Sequence, residues 1–233
     1  MHQAGTSRLA PAQSVRPIAA ELVAGFWWWT WASTTVALPA TNLCIAVSGW
    51  ADPVIALKCC ARIRDSLPGS KYISLGGDDS SGAFTRRNLA SITQAIDAGA
   101  FAGYDGIAFD IEEGETGLEP LFEQAFAAAK ANNHKVLVTV SQSAPYGIED
   151  ADALMQSFFA DANIDYLSPQ LYTTGRETSN NYRTPDTVSW TEYATAMAEI
   201  VPSIVDANLY QDAQDYFRLH GVELSGFIQW RQP

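Results

Sequence analysis

Tyr104-Asp105-Gly106-Ile107-Ala108-Phe109-Asp110-Ile111-Glu112-Glu113-Gly114 is the stretch whose reading decides the fold. Side chains of a β-strand alternate between two faces. Ile107, Phe109 and Ile111 then make one face wholly apolar. Ala108, Asp110 and Glu112 make the other, which turns acidic towards its C-terminal end. Asp110 and Glu112 stand about 6–7 Å apart along such a strand. Two carboxylates facing a core need a reason, because burying an unpaired charge is expensive. A satisfied ion pair or a solvated strand end would supply one. Their place at the C-terminal end of a strand supplies another, since parallel α/β folds build active sites there.

Working outward, strand and helix patterns alternate on both sides. Residues 22–31 and 43–47 read as apolar strands, the first rich in tryptophan, with Pro39 and Asn42 marking a turn between them. Asp52-Pro53 opens a helix, Asp as N-cap and Pro in the first turn, which stops at Pro68-Gly69. Strand 71–77, helix 85–103, strand 105–112, helix 118–133, strand 135–142, helix 149–162 and strand 166–172 follow. Residues 173–189 are a long polar loop, and a loop of that length usually has a task. Helix 190–200, a weak strand 203–209, helix 211–220 and strand 224–230 complete the pattern. Eight strand–helix units predict a (β/α)8 TIM barrel of class α/β, a single domain over residues 21–233, with residues 1–20 as an arm or leader. Three residues follow Trp230, so the last helix is expected to be missing. A doubly wound open sheet is the alternative, but its first strand-to-helix loop lacks Gly-x-Gly-x-x-Gly.

At 233 residues, 47% apolar and 17% charged, the chain has the material for one well-buried core. A net charge of −12 opposes binding to nucleic acid, whose phosphates would repel it. No apolar run reaches the length of a membrane span, and residues 1–20 lack the apolar centre of a signal peptide. Cys44, Cys59 and Cys60 make no disulfide framework and no zinc spacing. Cys59 and Cys60 read as buried free thiols, and His2, His134 and His220 as solvent-exposed. No metal and no cofactor is expected.

Strand parity decides which residues point into a barrel. Ser74 and Gly76 share a face of the third strand, Asp110 and Glu112 one of the fourth, and Gln170 and Tyr172 one of the sixth. Gln142 ends the fifth strand and Trp230 the eighth. All lie at C-terminal ends and so ring one mouth. They offer an acid, a second carboxylate, a phenol, amides and an aromatic floor. Such a set suits cleavage of a neutral polar substrate, and a sugar fits best.

These residues carry a resemblance. Asp105-Gly106-Ile107-Ala108-Phe109-Asp110-Ile111-Glu112 resembles the Asp-x-x-Asp-x-Asp-x-Glu signature of glycoside hydrolase family 18, the chitinases and their lectin relatives. Ser74-Leu75-Gly76-Gly77 resembles that family's Ser-x-Gly-Gly, Gln170-Leu171-Tyr172 its Gln-x-Tyr, and Trp230 its last-strand tryptophan. Val140-Ser141-Gln142 and Pro145 are similar to the compact plant and bacterial branch. The resemblance implies hydrolysis of β-1,4-linked N-acetylglucosamine polymers by a substrate-assisted retaining route. Glu112 would be the proton donor, Asp110 would orient the substrate's acetamide, and Tyr172 would hydrogen-bond its oxygen. Trp230, Gln170, Gln142, Gly76 and Gly77 would line the substrate site, with Asp105 and Ser74 as structural members of the motif. The resemblance also implies a secreted monomer whose partner is a carbohydrate. Like-charge repulsion from Asp110 would raise the acid's pKa.

One position departs from the signature: Ala108 stands where the family has its second Asp. Asp110 thereby loses an interior partner, which predicts slowed hydrolysis or a substitute partner from a neighbouring strand. Ala108 also favours a lectin that binds N-acetylglucosamine oligosaccharides without cutting them, while the retained Glu112 opposes it. An inhibitor or structural protein using outer helices, and a metal-dependent hydrolase using Glu113 and Glu115, are further alternatives.

Overall fold

The structure is a computed structural model that describes residues 34–37, 42–184 and 188–230, all within one compact unit, Thr30–Gln232. The tryptophan-rich strand expected over 22–31 and the arm expected over 1–20 lie outside the described residues.

The strands are β1 (Thr34–Ala37), β2 (Asn42–Ala46), β3 (Ser70–Gly76), β4 (Gly106–Ile111), β5 (Lys135–Ser141), β6 (Tyr166–Gln170), β7 (Glu199–Ile200), β8 (Ser203–Ile204) and β9 (Ile228–Gln229). Five helices alternate with them: α1 (Pro53–Arg64), α2 (Arg86–Asp97), α3 (Glu119–Ala131), α4 (Ala151–Ala160) and α5 (Tyr210–Leu219). Strands β2 to β6 pair in sequence order and in parallel. Strands β6, β8 and β9 continue the parallel run. Strand β1 closes the ring, antiparallel to both β2 and β9. The fold is thus a (β/α)8-type barrel with a partial helical jacket and one reversed stave.

Alternation along β4 sorts as its sequence requires. Ile107, Phe109 and Ile111 join the large core between sheet and helices, while Ala108 joins a smaller cluster with Leu43, Ile45, Tyr72, Leu137, Val201 and Ile228. Those residues are the apolar filling of the barrel. Outside it, Phe109 packs edge-on against Phe122 and Phe126, with ring centroids at 6.5 and 4.9 Å. Burying each such ring contributes about 1.5–3 kcal/mol. Gly106 is required by the filling: a Cβ there would lie 2.2 Å from the Tyr72 ring.

Helix starts follow their caps. Asp52 Oδ1 accepts the amides of Val54 and Ile55 ahead of α1. Thr85 and Asn88 cap each other ahead of α2. Helix α2 ends at Asp97, short of the expected 103.

Four expectations are corrected. Residues 190–200 are not one α-helix: Trp190–Thr195 is a 3₁₀ helix, and Glu199–Ile200 is drawn into the sheet beside β6. The strand expected over 203–209 is only Ser203–Ile204, followed by a 3₁₀ turn at Ala207–Leu209. Pro202, which has no amide hydrogen, breaks this stave into β7 and β8. Among the lone residues, Cys59 is exposed while Cys44 and Cys60 are buried, and none of the three is in a disulfide. His134 is buried, with Nδ1 3.0 Å from the Tyr104 carbonyl oxygen.

Candidate active site

Register brings the polar residues to one level. Gly76 lies beside Asp110, Asp110 beside Thr139, and Thr139 beside Ser168 across β3 to β6. Below this level the barrel is apolar, and above it the mouth opens. Asp110 is 7% exposed and Glu112, one residue beyond the end of β4, is half-buried.

Gln170 joins the two acids. Its Nε2 donates to Asp110 Oδ1 at 3.0 Å and to Glu112 Oε1 at 3.3 Å, and also lies 3.4 Å from Thr139 Oγ1. An amide nitrogen carries two hydrogens, so the three acceptors share them. Gln170 comes from β6, two strands away from β4. The position beside Ala108 stays unsatisfied: Ser74 is its register partner, and the buried Ser74 hydroxyl has no hydrogen-bond partner among the described residues.

Both carboxyls hold their protons more tightly than usual. Burial pushes Asp110 well above the ordinary carboxylate range, the charges of Glu112 and Asp78 push the same way, and Gln170 opposes them. Glu112 is pushed up to about 7, first by burial; Gln170 pulls it down, and Asp78 and Glu113 raise it. The sequence points to repulsion from Asp110 as the cause; the causes are instead burial and then the charges of Asp78 and Glu113. Burial thus favours the neutral form of both members of the pair.

Tyr172 is buried at the same mouth. Burial and then the charges of Asp110 and Glu112 push its phenol up, while a hydrogen bond with Ser203 opposes the shift. It therefore stays a neutral donor. Ser203 Oγ is 3.1 Å from Ser168 Oγ, which continues the polar layer under Tyr172. Trp230 stacks on Tyr172 at 5.6 Å and 30°. Round the ring β5-β4-β3-β2-β1-β9-β8-β6, β9 is four places from β4 either way, so Trp230 faces Glu112 across the mouth.

The loop after β6 closes over this stack. A Cβ on Gly175 would lie 2.3 Å from Trp230 Nε1, and its φ of +71° is one that glycine tolerates. Burial raises the Glu177 carboxyl, but the amides of Thr174 and Thr173 and its own, with the Thr174 hydroxyl, bring it down to about 2. Glu177 thus keeps its charge and holds the loop from within.

The remaining candidates separate. Gly76 and Gly77 lie at the mouth, and a Cβ on Gly76 would sit 2.2 Å from the Asp110 carbonyl oxygen. Gln142 is not joined to the acids: its backbone is left-handed at φ 54°, and its amide reaches Thr173 Oγ1 at 3.4 Å. Asp105 lies at the opposite end of β4, where its Oδ2 accepts the Lys71 amide at 2.7 Å and ties β3 to β4. Sequence reading missed Asp78, Thr139, Ser203 and Tyr146. The parity of β5 would have found Thr139; the loop residues had no period to betray them. Among the described residues, no group of three His, Cys, Asp or Glu side chains could hold a metal ion.

Fold and mouth together define a (β/α)8-type barrel with an amide-bridged carboxyl pair at its C-terminal rim. No family model and no curated protein matches the sequence. Among solved structures, the chain is similar to a protein described as a sporulation-specific glycosylase, ydhD, from Bacillus subtilis, at 13% identity and a TM-score of 0.44, over 74% of this chain and 67% of that one. It is also similar to a class V chitinase from Pseudomonas fluorescens Pf-5, at 15% identity, a TM-score of 0.39 and 63% and 54% coverage. A chitinase from Chromobacterium violaceum ATCC 12472 gives 14%, 0.38, 63% and 52%. The chain spans little more than half the length of these two chitinases.

Proposed function

We propose that this barrel is a glycoside hydrolase acting on β-1,4-linked N-acetylglucosamine chains. The observation that carries the reading is the Asp110–Gln170–Glu112 bridge at the barrel mouth, with Glu112 pushed up to about 7. A general acid works best when its pKa lies near the working pH. Glu112 protonates the glycosidic oxygen. The substrate's own 2-acetamido oxygen attacks the anomeric carbon, giving an oxazolinium ion that water opens with net retention. This family-type route is the recognised exception to the two-carboxylate scheme. Asp110 orients the acetamide, the Tyr172 phenol donates to its oxygen, and Trp230 floors the sugar. Glu112, as carboxylate, then takes a proton from the incoming water.

Release from a chromogenic chitobioside by wild type and Glu112→Gln tests this. Wild type should release the chromophore and the variant should fall to background. Equal background release from both ends the hydrolase reading. A second reading, a lectin for the same oligosaccharides, is favoured by Ala108 beside the unpartnered Ser74 hydroxyl. It predicts calorimetric binding of chitotetraose without cleavage.

A further inference from the structure

Residues 173–177, in the loop after β6, are folded round one carboxylate. Glu177 Oε1 accepts the amides of Thr173 and Thr174 at 2.9 and 2.7 Å and the Thr174 hydroxyl at 3.1 Å. Its Oε2 accepts the Arg176 amide at 2.9 Å. Backbone amides outside helices and strands need acceptors of their own, and here one side chain serves three. An ionised acceptor makes each such bond about twice as strong as a neutral one. The base of the loop is tied separately. Thr173 Oγ1 accepts from Asn181 Nδ2 at 3.0 Å, and the Asn181 amide donates to the Leu171 carbonyl at 2.8 Å. Glu177 is what shapes the tip.

The tip is Gly175, buried although Thr174 and Arg176 on either side are exposed. A Cβ added there would lie 2.3 Å from Nε1 and 2.5 Å from Cδ1 of Trp230, so the bare backbone rests against the pyrrole edge of the indole. The same indole stacks on Tyr172 at 5.6 Å. The Trp230 amide donates to the Ile204 carbonyl at 2.8 Å, which fixes its backbone and leaves the side chain to be set by what touches it. Burial and the charges of Asp110 and Glu112 push the Tyr172 phenol up, and the charge of Glu177 adds to them, so this carboxylate stands near the phenol too. Indole, phenol ring and loop tip are one packed wall of the mouth, with Glu177 behind it.

We propose that Glu177 is the positioning residue of this aromatic wall: by folding residues 173–177 round its carboxylate it sets Gly175 against Trp230 and fixes the indole over Tyr172. Its part is to hold an aromatic face in place before a ligand arrives, and so to add affinity rather than rate. An indole left free to turn must be ordered at binding, and ordering one such side chain weakens binding about three- to tenfold. The role is the same in a hydrolase and in a lectin, so it goes beyond the reading above and does not depend on turnover.

Fluorine-19 NMR of the full chain labelled with 5-fluorotryptophan tests this. The signal absent from Trp230→Phe is that of Trp230. In Glu177→Ala this signal should move and broaden, while the other tryptophan signals and the far-ultraviolet circular dichroism stay as in wild type. Glu177→Gln keeps one oxygen for the amides of Thr173 and Thr174, and should bring the signal most of the way back. Affinity is read by calorimetry with chitotetraose in proteins that also carry Glu112→Gln, so that cleavage does not intervene. It should fall about three- to tenfold with Glu177→Ala and stay within about twofold with Glu177→Gln. A Trp230 signal unchanged in Glu177→Ala overturns the proposal. So does one that moves only together with all the others, which would make Glu177 a part of the general fold. Chitotetraose bound by none of the proteins overturns the carbohydrate reading instead, and the Trp230 signal still decides the role of Glu177.

Discussion

Replacing Gln170 by leucine removes the amide that donates to both carboxyls while keeping comparable bulk in the barrel. A hydrogen bond to a charged group is worth about 1.5–3 kcal/mol. The bond to Glu112 is long, at 3.3 Å, and shared with two other acceptors, so the low end applies. One pKa unit corresponds to about 1.4 kcal/mol. Loss of the amide should then raise Glu112 by about one unit from its value near 7, because the amide stabilises the ionised form. Titration of carboxyl-labelled protein by carbon-13 NMR reads the shift directly and needs no turnover. In the active enzyme, the alkaline limb of kcat/KM moves up in step, since Glu112 must be protonated to act. The melting temperature of the variant should fall further at pH 8 than at pH 5, as only an ionised pair needs the donor. A carboxyl that titrates at its wild-type pH, or lower, in Gln170→Leu would refute the view that the amide bridge governs the pair.

Glu112→Gln should reduce turnover by at least about 100-fold, the usual contribution of a positioned acid, and steady-state rates on chitotetraose measure it. The same group makes stability depend on pH: its pKa rises from 4.5 to about 7 on folding, so its contribution is full below 4.5 and is lost as pH rises through 7. That loss is at most about 3.4 kcal/mol, and urea melts of wild type and Glu112→Gln should diverge in the variant's favour between pH 4.5 and 8. Gly76→Ala sets a methyl 2.2 Å from the Asp110 carbonyl oxygen at a φ of +100°, and should cost about 1–3 kcal/mol by chemical denaturation, with activity lost alongside.

What could be read without coordinates was what has a period. Residues 105–112 alternate so cleanly that the outward Ile107, Phe109 and Ile111 and the inward Ala108 and Asp110 follow from parity alone, and the structure sorts them that way. Caps at Asp52 and Thr85 are equally local and equally legible. Longer-range effects were not. Residues 190–200 carry a capping box and good helix formers, yet Ile200 is taken by β6, because a sheet partner outweighs a weak local preference. The reversal of β1 depends on pairing with β9, far along the chain. The acidic character of the rim comes from Asp78 and Glu113, and the ring of Tyr146 from a loop, none of which any periodicity marks.

Ala108 is then less a lost catalytic part than a change in how the pair is buffered. Ala108 belongs to a mainly apolar filling with Leu137, Tyr72 and Val201, so no carboxylate from position 108 stands beneath Asp110. Asp110 instead meets Gln170 and the charges of Glu112 and Asp78. Burial and the two nearby charges favour the neutral form of an acid in that position. Were a second inward carboxylate present at 108, Asp110 could pass its proton down and face Glu112 as an anion. With alanine there that route is absent, and the amide of Gln170 is the donor that both members of the pair share.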